Sequence, residues 1–207
     1  MVQKGFFTEL NRNRPPSPGF DFLSYSVNPQ VHASDIRSLV ENLEGQKYTI
    51  ETARSFAPEK EIHISPVTLK RRNDPESDSE KASKEKNNLP RSIDARQPSN
   101  FVAAWTLLTL KYLAGADAIT FYETVGMKGL MMGEAAPKLK DVFPAGDDDI
   151  FPFYQLLKRI KDFNPQFILE THYPDPLIID GTAFENASGE QLWLEVDFME
   201  GKIYEKR

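Results

Sequence analysis

Four stretches of the chain, residues 5–10, 20–27, 61–69 and 117–122, are short, rich in β-branched and aromatic residues, and apolar without clean alternation. Turn-forming residues bound each of them, which is the signature of buried parallel strands. Between the second and third, Ile36, Leu39, Val40, Leu43, Ile50, Ala53 and Phe56 recur at three- and four-residue steps behind Ser34 and Asp35. This predicts an amphipathic, N-capped helix over 34–57, with Gly45 as its point of interruption. Residues 99–114 are apolar nearly all round and end at Gly115, so they predict a deeply packed helix. A third helix is predicted over 150–163, with Lys158, Arg159 and Lys161 towards the end where the helix dipole favours cations and Asn164–Pro165 as the stop.

Alternating strands and helices imply an α/β architecture, either doubly wound or part of a barrel, since four strands cannot close a (β/α)8 barrel. The first crossover, 11–19, holds Pro15, Pro16 and Pro18 and reads as an irregular connection. Beyond Pro165 the texture changes to short segments at 166–170, 177–182, 191–198 and 202–204 separated by turn residues, which predicts antiparallel β structure. The expected organisation is therefore 1–164 as an α/β region and 165–207 as an antiparallel β segment. Residues 71–99 form a charged βα loop, with thirteen charged residues in twenty-nine and no aromatic; its 76–88 centre is expected to be mobile.

Composition narrows the function classes. The 207 residues are long enough for one sizeable core, and no apolar run approaches the ~20 residues of a membrane-spanning helix. With no cysteine, thiolate chemistry and sulfur-based zinc sites are excluded, and cytoplasm is the expected location. A net charge of −6 without a basic patch argues against nucleic acid. No phosphate-cradling glycine loop is present, and no cofactor or metal is expected. The acids 147–149 read as helix-capping charge rather than a cation site, and Met127, Met131 and Met132 as packing.

In parallel α/β folds, chemistry collects where strands end. Here the ends carry Glu9, Asn11 and Arg12; Tyr25, Asn28, Gln30 and His32; Ser65 and Thr68; and Glu123. Two glutamates from different strands suit acid–base work, with His32 as a proton carrier near neutral pH. The competing reading is structural: Glu9 capping or pairing with Arg12 or Arg14, and Glu123 paired with Lys128. If catalytic, Glu9, His32 and Glu123 are expected to share one pocket.

The strings FTELNRNRP, DFLSYSVNPQVHA, LVENLEGQKYTIETAR, HISPVTLKRR, AAWTLLTLKYL and TFYETVGMKG closely resemble the second half of the barrel in the D-apionate lactonase family. The likeness is dense over 8–132 and looser beyond. It implies a partial (β/α)8 TIM-barrel-like fold comprising about the last four strands, followed by the opening of a β-sandwich-like domain. The charged 76–88 stretch departs from the family pattern. The resemblance also implies hydrolysis of a sugar lactone in branched-sugar (apiose) catabolism, with Glu9, Glu123 and His32 as catalytic candidates. Asn11, Arg12, Tyr25, Asn28, Gln30, Ser65 and Thr68 are then the substrate-binding candidates. Two alternatives stand beside it: a glycosidase-like enzyme using two carboxylates, and a truncated, inactive carbohydrate-binding or interaction fragment. Because the family's first half-barrel precedes the part seen here, a separately encoded N-terminal half or self-association is the expected partner.

Overall fold

A computed structural model describes residues 5–16, 19–71, 89–134 and 141–206, so the 76–88 stretch lies outside the described residues. The chain divides into two compact units, Met1–Arg72 with Tyr112–Tyr122, and Asn73–Lys111 with Glu123–Arg207.

The first unit is built on three parallel strands, β1 (Phe22–Val27), β2 (Glu61–Val67) and β3 (Ala118–Phe121), in sequential order. That order follows the arc of a barrel and lacks the reversal of a doubly wound sheet. The fourth expected strand, 5–10, is not one. A single parallel bridge joins Phe6 to Ser26, and the chain then turns into helix α1 (Phe7–Arg12). The physical reason is local: after two phenylalanines the sequence offers only Leu10 to a core, where it is 2% exposed, while Glu9 reaches back to the Phe6 N–H at the helix start.

The predicted 34–57 helix is two helices, α2 (Ile36–Glu41), capped by Asp35 accepting from the Ser38 N–H at 2.9 Å, and α3 (Gly45–Phe56). One face of the sheet is covered from this side. Leu23, Tyr25, Ile62 and Ile64 are buried there, and the Tyr25 hydroxyl shares a 2.8 Å hydrogen bond with Thr49 of α3. The alternate residues Glu61, Ser65, Ala118 and Thr120 point the other way and are exposed.

Arg54 of α3 clamps the N-terminal end of this sheet. It donates to the Lys60 carbonyl at 2.7 Å and to Asp117 Oδ2 at 2.6 Å, and the same carboxylate accepts the Ile62 N–H at 2.8 Å.

In the second unit, helix α4 (Asn100–Tyr112) is buried on nearly all sides, as its sequence predicts. Two short strands, β4 (Glu123–Val125) and β5 (Gly129–Met131), pair parallel across a very tight connection. Only glycine fits at 129, where a Cβ would lie 2.8 Å from the Val125 backbone carbon. Helix α5 (Pro152–Phe163) starts at Phe151 with proline in its first turn and ends at Asn164 with φ of 54°, as expected. The acids 147–149 do not cap it. Asp149 instead accepts the Gly146 N–H at 2.6 Å.

The predicted antiparallel segment is a four-stranded meander, β6 (Pro165–Leu169), β7 (Ile179–Asn186), β8 (Gln191–Asp197) and β9 (Lys202–Lys206). The β7–β8 turn is organised by Asn186 Oδ1, which accepts the N–H groups of Ser188 and Glu190, both at 3.0 Å. Lys111 of α4 forms an ion pair with Asp180 of β7, whose side chain is 1% exposed. Beside it Tyr173 hydrogen-bonds Glu195, and burial pushes its hydroxyl pKa up to about 12.

Lys111→Ala removes the cation paired with the buried Asp180 carboxylate and is expected to cost about 3–5 kcal/mol, whereas the double substitution Lys111→Met with Asp180→Leu recovers most of that loss. Urea unfolding of the three proteins measures it, and equal loss in the single and double variants would contradict it. At the other unit, the Ile62 N–H and then Arg54 hold the Asp117 carboxyl below the usual carboxylate range. A depressed folded pKa stabilises above the unfolded value and is lost as pH falls through the folded one. The acid limb of stability below about pH 4 is therefore expected to be shallower in Asp117→Asn, with a loss near neutrality of about 1 kcal/mol because the pair is partly exposed.

Candidate functional site

Parallel pairing brings the C-terminal ends of β1 and β2 and the bridge residue Phe6 to one edge of the first unit. The Phe6–Ser26 bridge is reinforced by the Ser26 N–H donating to the Gly5 carbonyl at 3.1 Å. Next along the edge, the Thr68 N–H donates to the Val27 carbonyl at 3.0 Å and the Tyr122 N–H to that of Val67 at 3.1 Å.

Several expected site residues converge here, in roles the sequence did not disclose. Glu9 is exposed in the first turn of α1, its Oε2 3.4 Å from the Phe6 N–H, so the carboxylate serves as a loose helix cap with its outer face open. Gln30 is half-buried and donates through Nε2 to the Leu69 carbonyl at 2.9 Å. Thr68 is 8% exposed and donates through Oγ1 to the Lys70 carbonyl at 2.6 Å. Both therefore fix the backbone of residues 69–70. From that fixed segment Arg71 reaches back over Phe6, its Cζ 4.8 Å from the ring centroid. Phe6 thus carries a carboxylate at its backbone and a guanidinium on its ring.

Neither Phe6 nor Arg71 was singled out from the sequence. Arg71 stands in the string HISPVTLKRR, but its contact with Phe6, far back along the chain, leaves no mark in the sequence. Arg12 lies exposed at the end of α1, Asn28 is half-buried just past β1, and His32 is exposed in the following segment. Ser65 is exposed near the end of β2, ahead of a cis bond to Pro66.

Two expected binding residues face elsewhere. Tyr25 is 0% exposed, and burial raises its hydroxyl pKa to about 12, so it is a core residue against α3. The Asn11 Oδ1 accepts from Arg14 Nε at 3.1 Å and Nη2 at 2.8 Å, and that arginine stacks on Phe56. Glu123 belongs to the second unit, where it is half-buried at the start of β4 and its N–H donates to the Lys128 carbonyl at 3.2 Å. Among the described residues, no group of three or more His, Asp or Glu is placed to hold a metal ion, and no helix is long and apolar enough to cross a membrane.

Comparison with known proteins agrees with this fold. Residues 3–164 match the family described as D-apionate lactonase, TIM barrel domain. A D-apionate lactonase of Brucella anthropi is 31% identical over 140 residues, covering 65% of this chain and 22% of that protein. In fold, the chain is similar to a GH51 arabinofuranosidase from Xanthomonas axonopodis pv. citri, with TM-score 0.55 and 11% identity, over 95% of this chain and 42% of the other. An α-L-arabinofuranosidase from Thermotoga maritima is similar at TM-score 0.56 and 15% identity, with the same coverage of 95% and 42%. The chain thus spans about a fifth of the length of the lactonase and about two fifths of the solved enzymes. Its architecture is part of a TIM-barrel-like α/β fold followed by an antiparallel β region. With 162 consecutive residues matched to the barrel-domain model, the chain belongs to the D-apionate lactonase family.

Proposed function

We propose that this chain carries the strand-end site of a sugar-lactone hydrolase of the D-apionate lactonase type. The family match over the barrel residues is the observation that carries the reading, and the open carboxylate of Glu9 at the C-terminal edge of a parallel sheet supports it. In this mechanism Glu9 takes a proton from water as the water oxygen bonds to the lactone carbonyl carbon. Donors on the same edge, Arg12, Asn28 and His32, offer hydrogen bonds to the oxygen that becomes negative. The ring C–O bond then breaks, the released ring oxygen takes up the proton as a hydroxyl, and a hydroxy acid leaves. Glu123, at the start of β4, is the second carboxylate of the family strings and the alternative base.

The exposed, polar face of the first unit's sheet supports a further part of the proposal. Parallel sheets are ordinarily covered on both faces, so Glu61, Ser65 and Thr120 are proposed to be faced by further barrel strands, whether of the same protein, a separate N-terminal half or a second copy. Residues 165–207 are proposed as the opening of a β-sandwich-like domain, and cytoplasm as the setting.

Hydrolysis of D-apionate lactone and related five-membered aldonolactones, followed by pH-stat against the spontaneous rate, tests the mechanism. Glu9→Gln is expected to lower kcat by about 10²–10⁴-fold with an unchanged thermal midpoint. Full activity in Glu9→Gln together with loss in Glu123→Gln would move the base to the second unit, and absence of lactone turnover by the wild type would overturn the reading.

A further inference from the structure

We propose that Arg71 is a carboxylate-binding residue of this site, gripping the acid end of an aldonate, the sugar acid released when the lactone opens. The inference rests on the lactonase reading for the identity of the ligand, but its geometry stands by itself. Arg71 is exposed, and among the described residues its guanidinium meets no carboxylate; its partner is the Phe6 ring, 4.8 Å from Cζ. A guanidinium held over an aromatic face by cation–π attraction keeps its N–H groups for other acceptors, and their fork matches the two oxygens of a carboxylate.

The support behind Arg71 is unusual for an exposed arginine. Thr68 Oγ1 holds the Lys70 carbonyl and Gln30 Nε2 holds the Leu69 carbonyl, so the two residues preceding Arg71 are tied down by buried or half-buried side chains from two different strand ends. Phe6 is itself fixed by its bridge to Ser26. Ordering costs are met by the fold rather than by the ligand, which is what preorganisation for binding requires. The other arginines of this edge are placed differently: Arg14 is engaged by Asn11 and Phe56, and Arg12 is exposed at the end of α1.

The charge arrangement also suits a molecule that is polar at one end and anionic at the other. Glu9 sits at the Phe6 backbone and Arg71 on its ring, so the oxygens of a ligand carboxylate turn towards the guanidinium. This fixes the orientation of a sugar acid and, before ring opening, turns the lactone carbonyl oxygen towards the cation and leaves the carbonyl carbon to the water held by Glu9.

Isothermal titration of the full chain with D-erythronate, with erythritol as the uncharged control and acetate as the carboxylate without hydroxyls, tests the proposal. Wild type is expected to bind erythronate at least tenfold more tightly than either control. Arg71→Gln is expected to abolish that preference, Arg71→Lys to keep part of it because one point charge replaces a fork, and Phe6→Leu to weaken it several-fold. Thermal midpoints accompany each titration, and Arg71→Lys carries the test where Arg71→Gln does not fold. Unchanged erythronate affinity in Arg71→Gln, or no preference over erythritol in the wild type, overturns the proposal. The two readings fail separately: unchanged binding in Arg71→Gln with hydrolysis lost in Glu9→Gln sinks the role of Arg71 alone, whereas Arg71-dependent erythronate binding without lactone turnover sinks the lactonase reading alone.

Discussion

The parallel ladder of the first unit is the constraint from which its chemistry follows. When Phe6, β1, β2 and β3 run in the same direction and pair with sequential neighbours, all of their C-terminal ends fall on one edge. Every polar residue just past a strand is then delivered to that edge whatever its distance along the chain. The cross-strand hydrogen bonds that continue beyond the regular strands, from Thr68 to Val27 and from Tyr122 to Val67, carry the order of the sheet into the segments that bear function. The same ladder decides what is not available. Alternation sends Tyr25 towards α3 while Ser24 and Ser26 take the opposite face, so a tyrosine within a promising string becomes part of the core.

In the second unit, stability depends on burying polar groups together. Lys111 and Asp180 place a charge pair where the sheet meets a helix that is otherwise apolar, and such a pair adds specificity of docking more than net energy. Gly181 shows how closely the elements approach there: a Cβ at this position would come within 2.6 Å of the Tyr173 hydroxyl and 2.7 Å of the Leu194 carbonyl. Any side chain at 181 would push Tyr173 away from its hydrogen bond to Glu195, so the aromatic and the ion pair are set by one glycine.

Much of the fold is legible in the sequence because local chemistry and tertiary role coincide. The all-round apolar pattern of α4, the Asn164–Pro165 stop and the Asn186–Gly189 turn each state their structure within a few residues. Reading fails where one local signal masks another, or where the partner of a side chain lies far along the chain. Residues 5–10 look like a strand because two phenylalanines dominate, yet one bridge to Ser26 is all the pairing that the helix-forming Thr-Glu-Leu-Asn-Arg leaves. At the candidate site, the sequence offers polar residue types at strand ends and does not disclose their partners. Gln30 and Thr68 were visible as polar groups at strand ends, but they serve main-chain carbonyls, and the side chain they position, Arg71, is recognised only through its ring contact with Phe6.

The claim on which the account depends is that the strand-end edge around Phe6 is where ligand binds. Backbone amide chemical shifts of isotope-labelled protein titrated with D-erythronate measure this residue by residue. The account predicts saturable shifts at Phe6, Glu9, Gln30, Thr68 and Arg71, with the N-terminal clamp at Arg54 and Asp117 unmoved. Saturable shifts confined to the antiparallel sheet of β6–β9, with the Phe6 edge silent, would contradict it.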